Sequence, residues 1–270
     1  MLTRHLSESG PRWAADGIWL VPTFNLRLLC SVPATAVAAL IESCKTGERA
    51  TGTALAPVDN DTEVWASGVT YLRSREARMQ ESDTADVYDK VYDASRPELF
   101  FKCAGWRARA HGAPIRVRSD AHWNVPEPEL ALVANADGQI IGYTAGNDVS
   151  SRDIEGANPL YLPQAKVYNG SCALGPGIVV CEADAMRALP ISLDIARNNA
   201  SIFNAATDIT QMKRSLEELI DCLYLELEMP AGSVLLTGAG IVPTDDFTLL
   251  PGDTVTIGVG GLRLTNTVSS

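Results

Sequence analysis

The feature that most constrains this fold is the run VPEPELALVANADGQIIGYTAGNDVS at positions 125–150. Two apolar, strand-like pieces meet at Asp137-Gly138, a residue pair suited to a tight turn, which predicts an antiparallel hairpin. Proline on either side of Glu127 favours extended backbone and discourages helix. Residues two apart on an extended run share a face, so Glu127 and Glu129 point the same way. The arms are nearly matched in length about the turn, which returns Asp148 to the level of both glutamates. Three carboxylates at one level repel each other unless a cation joins them. A hard divalent ion resolves this, and Mg²⁺ would keep positions open for water and a bidentate substrate.

Composition narrows the partners. Of 270 residues, 46% are hydrophobic and 20% charged, which excludes whole-chain disorder. Lys plus Arg number 22 against 33 Asp plus Glu, a net charge of −11 that works against nucleic-acid binding. No apolar window reaches the ~18 residues of a membrane span, and MLTRHLSESGPRW lacks the apolar run of a signal peptide. Three histidines without metal-ligand spacing and six scattered cysteines without a CxxC argue against a zinc site. The cysteines read as buried thiols.

The composition shifts after a turn-rich stretch near residue 57, dividing the chain into a small N-terminal domain, 1–60, and a catalytic domain, 61–270. In the first, ATAVAALIESC reads as a helix with Ser31 at its cap and Pro33 in its first turn. In the second, strand-like VWASGVTYL leads into a charged stretch expected to act as a lid over Ser74–Ser95. SLEELIDCLY places Leu216, Leu219, Ile220 and Leu223 at helical spacing. Many short strands, few helices and many glycine turns predict a β-rich α+β fold with a closed or rolled mixed sheet. No strand-to-helix GxGxxG and no GxxxxGK[ST] occurs, so nucleotide cofactors have no support.

The E-x-E of Glu127 and Glu129, then GNDVSSRDIE, then Lys166 with GSCALGPG behind it, resemble the fumarylacetoacetate hydrolase family over most of 63–265. WASGVTYLRSREARM, DVYDKVYDASRPELFFK and NPLYLPQAKVYNGSCALGPG are most similar to its 2-keto-3-deoxy-D-arabinonate dehydratase branch. The resemblance implies a mixed β-roll and Mg²⁺ or Mn²⁺ held by Glu127, Glu129 and Asp148. It implies Lys166 as active-site lysine and Glu98, in RPELFFK, as a catalytic glutamate. It also implies a cytoplasmic homodimer or homotetramer.

Two departures bear on the chemistry. Hydrolases of the family carry Y-x-x-H-x-x-E after the first core strand; here Ser74 and Ala77 stand at the histidine and glutamate positions after Tyr71. The pair that would activate water for carbon–carbon cleavage is missing. In Leu236-Thr237-Gly238-Ala239-Gly240, Ala239 replaces a commoner hydroxyl residue, while Thr237 keeps its own.

A 2-oxo acid offers its carbonyl and one carboxylate oxygen to a single cation, which acidifies the C3 protons. A base removes one, and an acid assists departure of a C4 hydroxyl as water. Glu98 and Lys166 are the candidates for the two transfers. Away from water and near a cation, an ammonium gives up its proton more readily. A Schiff base on Lys166 would leave the carboxylates without a task. Arg73, Arg75 and Arg78 replace the hydrolase dyad with positive charge that could close on the substrate. Arg152 is expected to pair with Asp153 or Glu155, or to reach the substrate. Lys102 lies beyond Glu98 on one strand and should support the site. Ser150, Tyr161, Tyr168 and Thr237 complete the candidates for substrate binding. The expected reaction is Mg²⁺-dependent dehydration of a 2-keto-3-deoxy sugar acid, 2-keto-3-deoxy-pentonate to 2-oxoglutarate semialdehyde. Acylpyruvate hydrolysis, oxaloacetate decarboxylation and a non-catalytic binding role are the alternatives.

Overall fold

The computed structural model describes residues 1–81 and 90–269; part of the expected lid, residues 82–89, lies outside the described residues. The hairpin forms as Pro128–Ala134 against Ile140–Asp148, antiparallel, with Glu129 opposite Gly146 and Leu130 opposite Ala145. Every residue of Pro128–Ala134 is buried. Leu130 and Leu132 face a core shared with Ile191, Leu193 and Ile257. Ala131 and Val133 face a second core shared with Trp13, Leu20 and Leu236. A strand covered on both faces shows no alternation, which is why its sequence reads as one apolar run.

This hairpin lies at the centre of a sheet to which eleven described strands belong. On one side follow Ser233–Leu236, Glu63–Gly68 and Glu98–Ala104; on the other, Cys172–Val180 and then Leu2–Ser7. Ser233–Leu236 runs parallel to Glu63–Gly68 while its other neighbour is antiparallel, so the sheet is mixed. Five strands, from Ile115–Arg116 to Leu262–Ser269, build a second sheet. The fold is a strand-rich α+β arrangement of the expected type. Residues 1–55 carry their strands onto the large sheet through Leu2 opposite Ile178.

The helix Leu216–Tyr224 buries the four expected residues, each worth about 1.5–3 kcal/mol. Ser215 caps it, its hydroxyl accepting the Glu218 N–H at 3.1 Å. In the leading region Ser31 departs from expectation. It closes a preceding helix, Leu26–Cys30, by donating to the Leu28 carbonyl at 2.8 Å. A 3₁₀ turn, Ala34–Ala36, opens the helix Val37–Cys44 instead. The short first helix has Asn25 as its N-cap, whose side chain accepts from Leu28 N–H. All six cysteines are free thiols. No helix among the described residues is long and apolar enough to cross a membrane.

Candidate active site

The open end of the hairpin makes the site. Asp148 N–H donates to the Glu127 carbonyl at 3.0 Å, which places the two side by side. Oxygens of Glu127, Glu129 and Asp148 all lie within 4.8 Å of one another, and all three residues are buried. Glu129 Oε2 accepts the Gly238 N–H at 2.6 Å. Gly238 has φ +94°, a conformation that suits glycine and turns its amide toward the carboxylate. The other oxygen, Glu129 Oε1, is buried without a hydrogen-bond partner.

Cations surround the cluster. Lys166, at the end of the short helix Leu162–Lys166, donates from Nζ to Glu127 Oε2 at 2.8 Å, Asp148 Oδ2 at 3.1 Å and the Ser150 hydroxyl at 2.5 Å. Its own carbonyl accepts from Ser171 Oγ at 2.8 Å and Lys102 Nζ at 2.5 Å, which fixes the backbone at that residue. Lys102 is fully buried, forms an ion pair with Asp148 Oδ1, and donates to the Val149 carbonyl. Arg152 reaches Glu127 Oε1 at 3.2 Å. Three cations thus balance three carboxylates, but Glu127 and Asp148 take the direct pairs. Burial first, then the charges of Asp148 and Glu127, push the Glu129 carboxyl well above its ordinary range. Lys166 and the Gly238 amide pull the other way and do not reverse it.

A narrow cleft opens on this cluster. Glu127, Arg152, Glu155 and Lys166 line one side, and Ser67, Gly68, Val69, Glu98 and Phe100 another. Ser74, Ala239 and Val242 complete the wall. The cleft holds about 20 Å³, room for one water by the usual measure. Glu98 and Lys166 face the same space.

The other sequence candidates are placed differently. Ser150 is buried within the cluster and also donates to the Asp148 carbonyl at 2.9 Å. Thr237 is buried, but its hydroxyl donates to the Leu130 carbonyl at 3.0 Å and so ties two strands together. Arg73 is exposed on the helix Leu72–Glu81, and Arg75 lies over the Tyr92 ring at 5.2 Å; neither lines the cleft. Tyr161 is exposed on the 3₁₀ turn Pro159–Tyr161. Tyr168 lies beneath Arg118 beside another surface depression, while its buried hydroxyl is near enough to Asp148 and Lys166 to feel their charges. Ser74 Oγ donates to the Tyr71 carbonyl at 2.7 Å, and Ala77 is buried, so no acid–base pair stands at the two hydrolase positions.

Sequence reasoning did not single out Gly68, Val69 or Phe100, and took Glu155 only as a partner for Arg152. The available signal for the first two was a glycine at the end of a core strand. Val69 takes φ +53°, rare for a β-branched residue.

The donor set, all oxygen, suits a hard cation, and the unpartnered buried oxygen of Glu129 is where one would satisfy an otherwise costly group. Fold and site together define a class: a β-rich protein with a three-carboxylate cluster, a candidate divalent-metal site, at its centre. The chain belongs to the fumarylacetoacetate (FAA) hydrolase family, whose C-terminal family model matches residues 63–269. A "Probable 2-keto-3-deoxyxylonate dehydratase" of Haloferax volcanii is 47% identical over 219 residues, 80% of this chain and 75% of that protein. The 2-dehydro-3-deoxy-D-arabinonate dehydratase of Saccharolobus solfataricus is 44% identical over 212 residues, 76% of this chain and 70% of that protein. A structure of 2-keto-3-deoxy-D-arabinonate dehydratase with magnesium and 2,5-dioxopentanoate superposes with TM-score 0.82 at 34% identity, covering 99% and 98% of the two chains.

Proposed function

We propose that this protein converts a 2-keto-3-deoxy-pentonate to 2-oxoglutarate semialdehyde. At the coarser level it is a metal-dependent dehydratase acting on a 2-keto-3-deoxy sugar acid. The observation that carries the reading is one cleft lined by Lys166, Glu98 and Glu127, the last of which belongs to the carboxylate cluster, with Ser74 and Ala77 where a hydrolase needs its dyad. Two relatives at 47% and 44% identity carry the names of dehydratases of such acids, the first as a probable one. The 2,5-dioxopentanoate held by the solved relative is 2-oxoglutarate semialdehyde under another name.

Glu127, Glu129 and Asp148 would hold Mg²⁺ or Mn²⁺. Bound there, the ion supplies a Lewis acid that polarises the C2 carbonyl and acidifies the C3 protons. Glu98 takes one C3 proton. Lys166 directs Nζ at Glu127 Oε2, Asp148 Oδ2 and the Ser150 hydroxyl, on the wall of the cleft that Glu98 also lines. We assign Lys166 the second transfer, to the C4 hydroxyl as it leaves as water. Loss of water leaves a C3=C4 double bond conjugated with the C2 carbonyl. Loss of a C5 proton with protonation at C3 gives the C4=C5 enol, and protonation of that enol at C4 gives the aldehyde. Arg152 and Ser150 hold Glu127 and Lys166 in register. The narrow cleft keeps bulk water from the reacting carbons.

A cytoplasmic homodimer or homotetramer belongs to the same proposal; exposed Trp106, Leu160 and Leu225 are compatible with buried contacts between copies. The test is a panel of 2-keto-3-deoxy acids, acylpyruvates and oxaloacetate with Mg²⁺, each product identified by mass. Loss of one water from the deoxy acids alone supports the reading. Carbon–carbon cleavage or release of CO₂ as the main reaction rejects it.

A further inference from the structure

Glu98 owes its place in the cleft to a residue with no side chain. Gly68 stands opposite Glu98 in the antiparallel pair Glu63–Gly68 and Glu98–Ala104. A Cβ built on Gly68 would lie 2.0 Å from Glu98 Oε2 and 2.7 Å from its Cδ. Those are far inside contact distance, and among the atoms within 4 Å the three nearest all belong to the Glu98 carboxyl group. Gly68 is not among the residues with positive φ, so its backbone conformation does not demand glycine. What the position demands is empty space, and the carboxylate of Glu98 fills it.

The surroundings fix that arrangement. Ser67 Oγ donates to the Glu98 carbonyl at 2.9 Å, which ties the two strand ends together. Val69 then turns the chain at φ +53° and ends the strand at the cleft wall. Neither strand can slide to relieve a clash at Gly68, so the mobile end of Glu98 would have to move.

We propose that Gly68 is a positioning residue for the reaction: it lets the Glu98 carboxylate lie flat on the strand, at the depth where it meets the substrate. This rests on Glu98 being a proton-transfer group. An added methyl pushes the carboxylate away from the strand while leaving Glu127, Glu129, Asp148 and Lys166 untouched. Displacement of a reacting group by about 1 Å can lower a rate by ~10²-fold.

The test is a double-mutant cycle with Gly68→Ala, Glu98→Ala and the pair, reading kcat, KM, Mg²⁺ affinity by calorimetry and thermal melting. Gly68→Ala is expected to lower kcat by about 10²-fold, with KM and Mg²⁺ affinity within about twofold of wild type. In the Glu98→Ala background, where the carboxylate is gone, Gly68→Ala is expected to add no further loss. Two results overturn the proposal: wild-type kcat in Gly68→Ala, or losses that multiply in the double variant. If Gly68→Ala does not fold, the double variant decides, because removing the carboxylate should restore folding; failure to restore it overturns the proposal. Normal turnover by Glu98→Ala would remove the role of Glu98 itself. Slow Glu98→Ala with normal Gly68→Ala would remove only the role of Gly68.

Discussion

Replacing Lys102 by Met removes one charge from the inner side of the carboxylate cluster while keeping most of the volume. Lys102 is fully buried and pairs with Asp148, itself 1% exposed. The substitution leaves Asp148 with Lys166 as its remaining cation, and leaves the Val149 carbonyl without that donor. The Lys166 carbonyl keeps Ser171. Breaking a buried pair by removing one partner costs about 3–5 kcal/mol. At roughly 2 °C per kcal/mol for a chain of this length, Tm should fall by about 6–10 °C in EDTA. Mg²⁺ should restore much of that loss, because the ion neutralises the exposed deficit at Asp148. Its binding should be tighter in Lys102→Met than in wild type, since one competing cation is gone. Thermal melts with and without Mg²⁺, paired with calorimetric titration, read both effects. An unchanged Tm in EDTA, or a destabilisation that Mg²⁺ leaves untouched, would refute the reasoning.

Glu127→Gln removes charge but not volume, and should weaken Mg²⁺ binding and lose most turnover with the fold intact, as titration and circular dichroism would show. Lys166→Ala should slow dehydration by about 10²-fold or more. With a 2-oxo acid lacking a C4 hydroxyl it should still exchange C3 protons with solvent, whereas Glu98→Gln should lose exchange and dehydration together. Loss of exchange in Lys166→Ala would make Lys166 the base. The raised Glu129 carboxyl carries a pH signature in metal-free protein. Its folded form holds the proton more tightly than the unfolded chain, so this group's stabilisation is full at low pH. It is lost as pH rises from about 4 through the raised folded value. Glu129→Gln should remove that slope and be more stable than wild type in EDTA at neutral pH. Equal slopes in urea titrations of the two proteins would contradict it.

The carboxylate cluster was legible because every relation among its members is local. Period-two geometry aligns Glu127 with Glu129, and one hairpin turn returns Asp148. The helix Leu216–Tyr224 was legible for the same reason, through its spacing. Relations across long separations were not. Nothing local says that Lys102 pairs with Asp148, or that Leu2 lies opposite Ile178. Ser31 was misplaced because a serine before a proline suits either end of a helix, and the five-residue helix ahead of it has little apolar period to read. Thr237 kept a hydroxyl that the sequence offers to substrate, yet the Leu130 carbonyl across the sheet takes it. Glycine at 68 is visible in the sequence, but the carboxylate that fills its space comes from a strand thirty residues on.

Synthetic 2-keto-3-deoxy-pentonate, incubated with purified protein and Mg²⁺ and followed by mass spectrometry, tests the central claim most directly. The account predicts a product lighter by one water, trapped as the aldehyde 2-oxoglutarate semialdehyde. Its formation should stop on EDTA dialysis and return with Mg²⁺ or Mn²⁺. An intact substrate, a carbon–carbon cleavage product, or full turnover by demonstrably metal-free protein would contradict it.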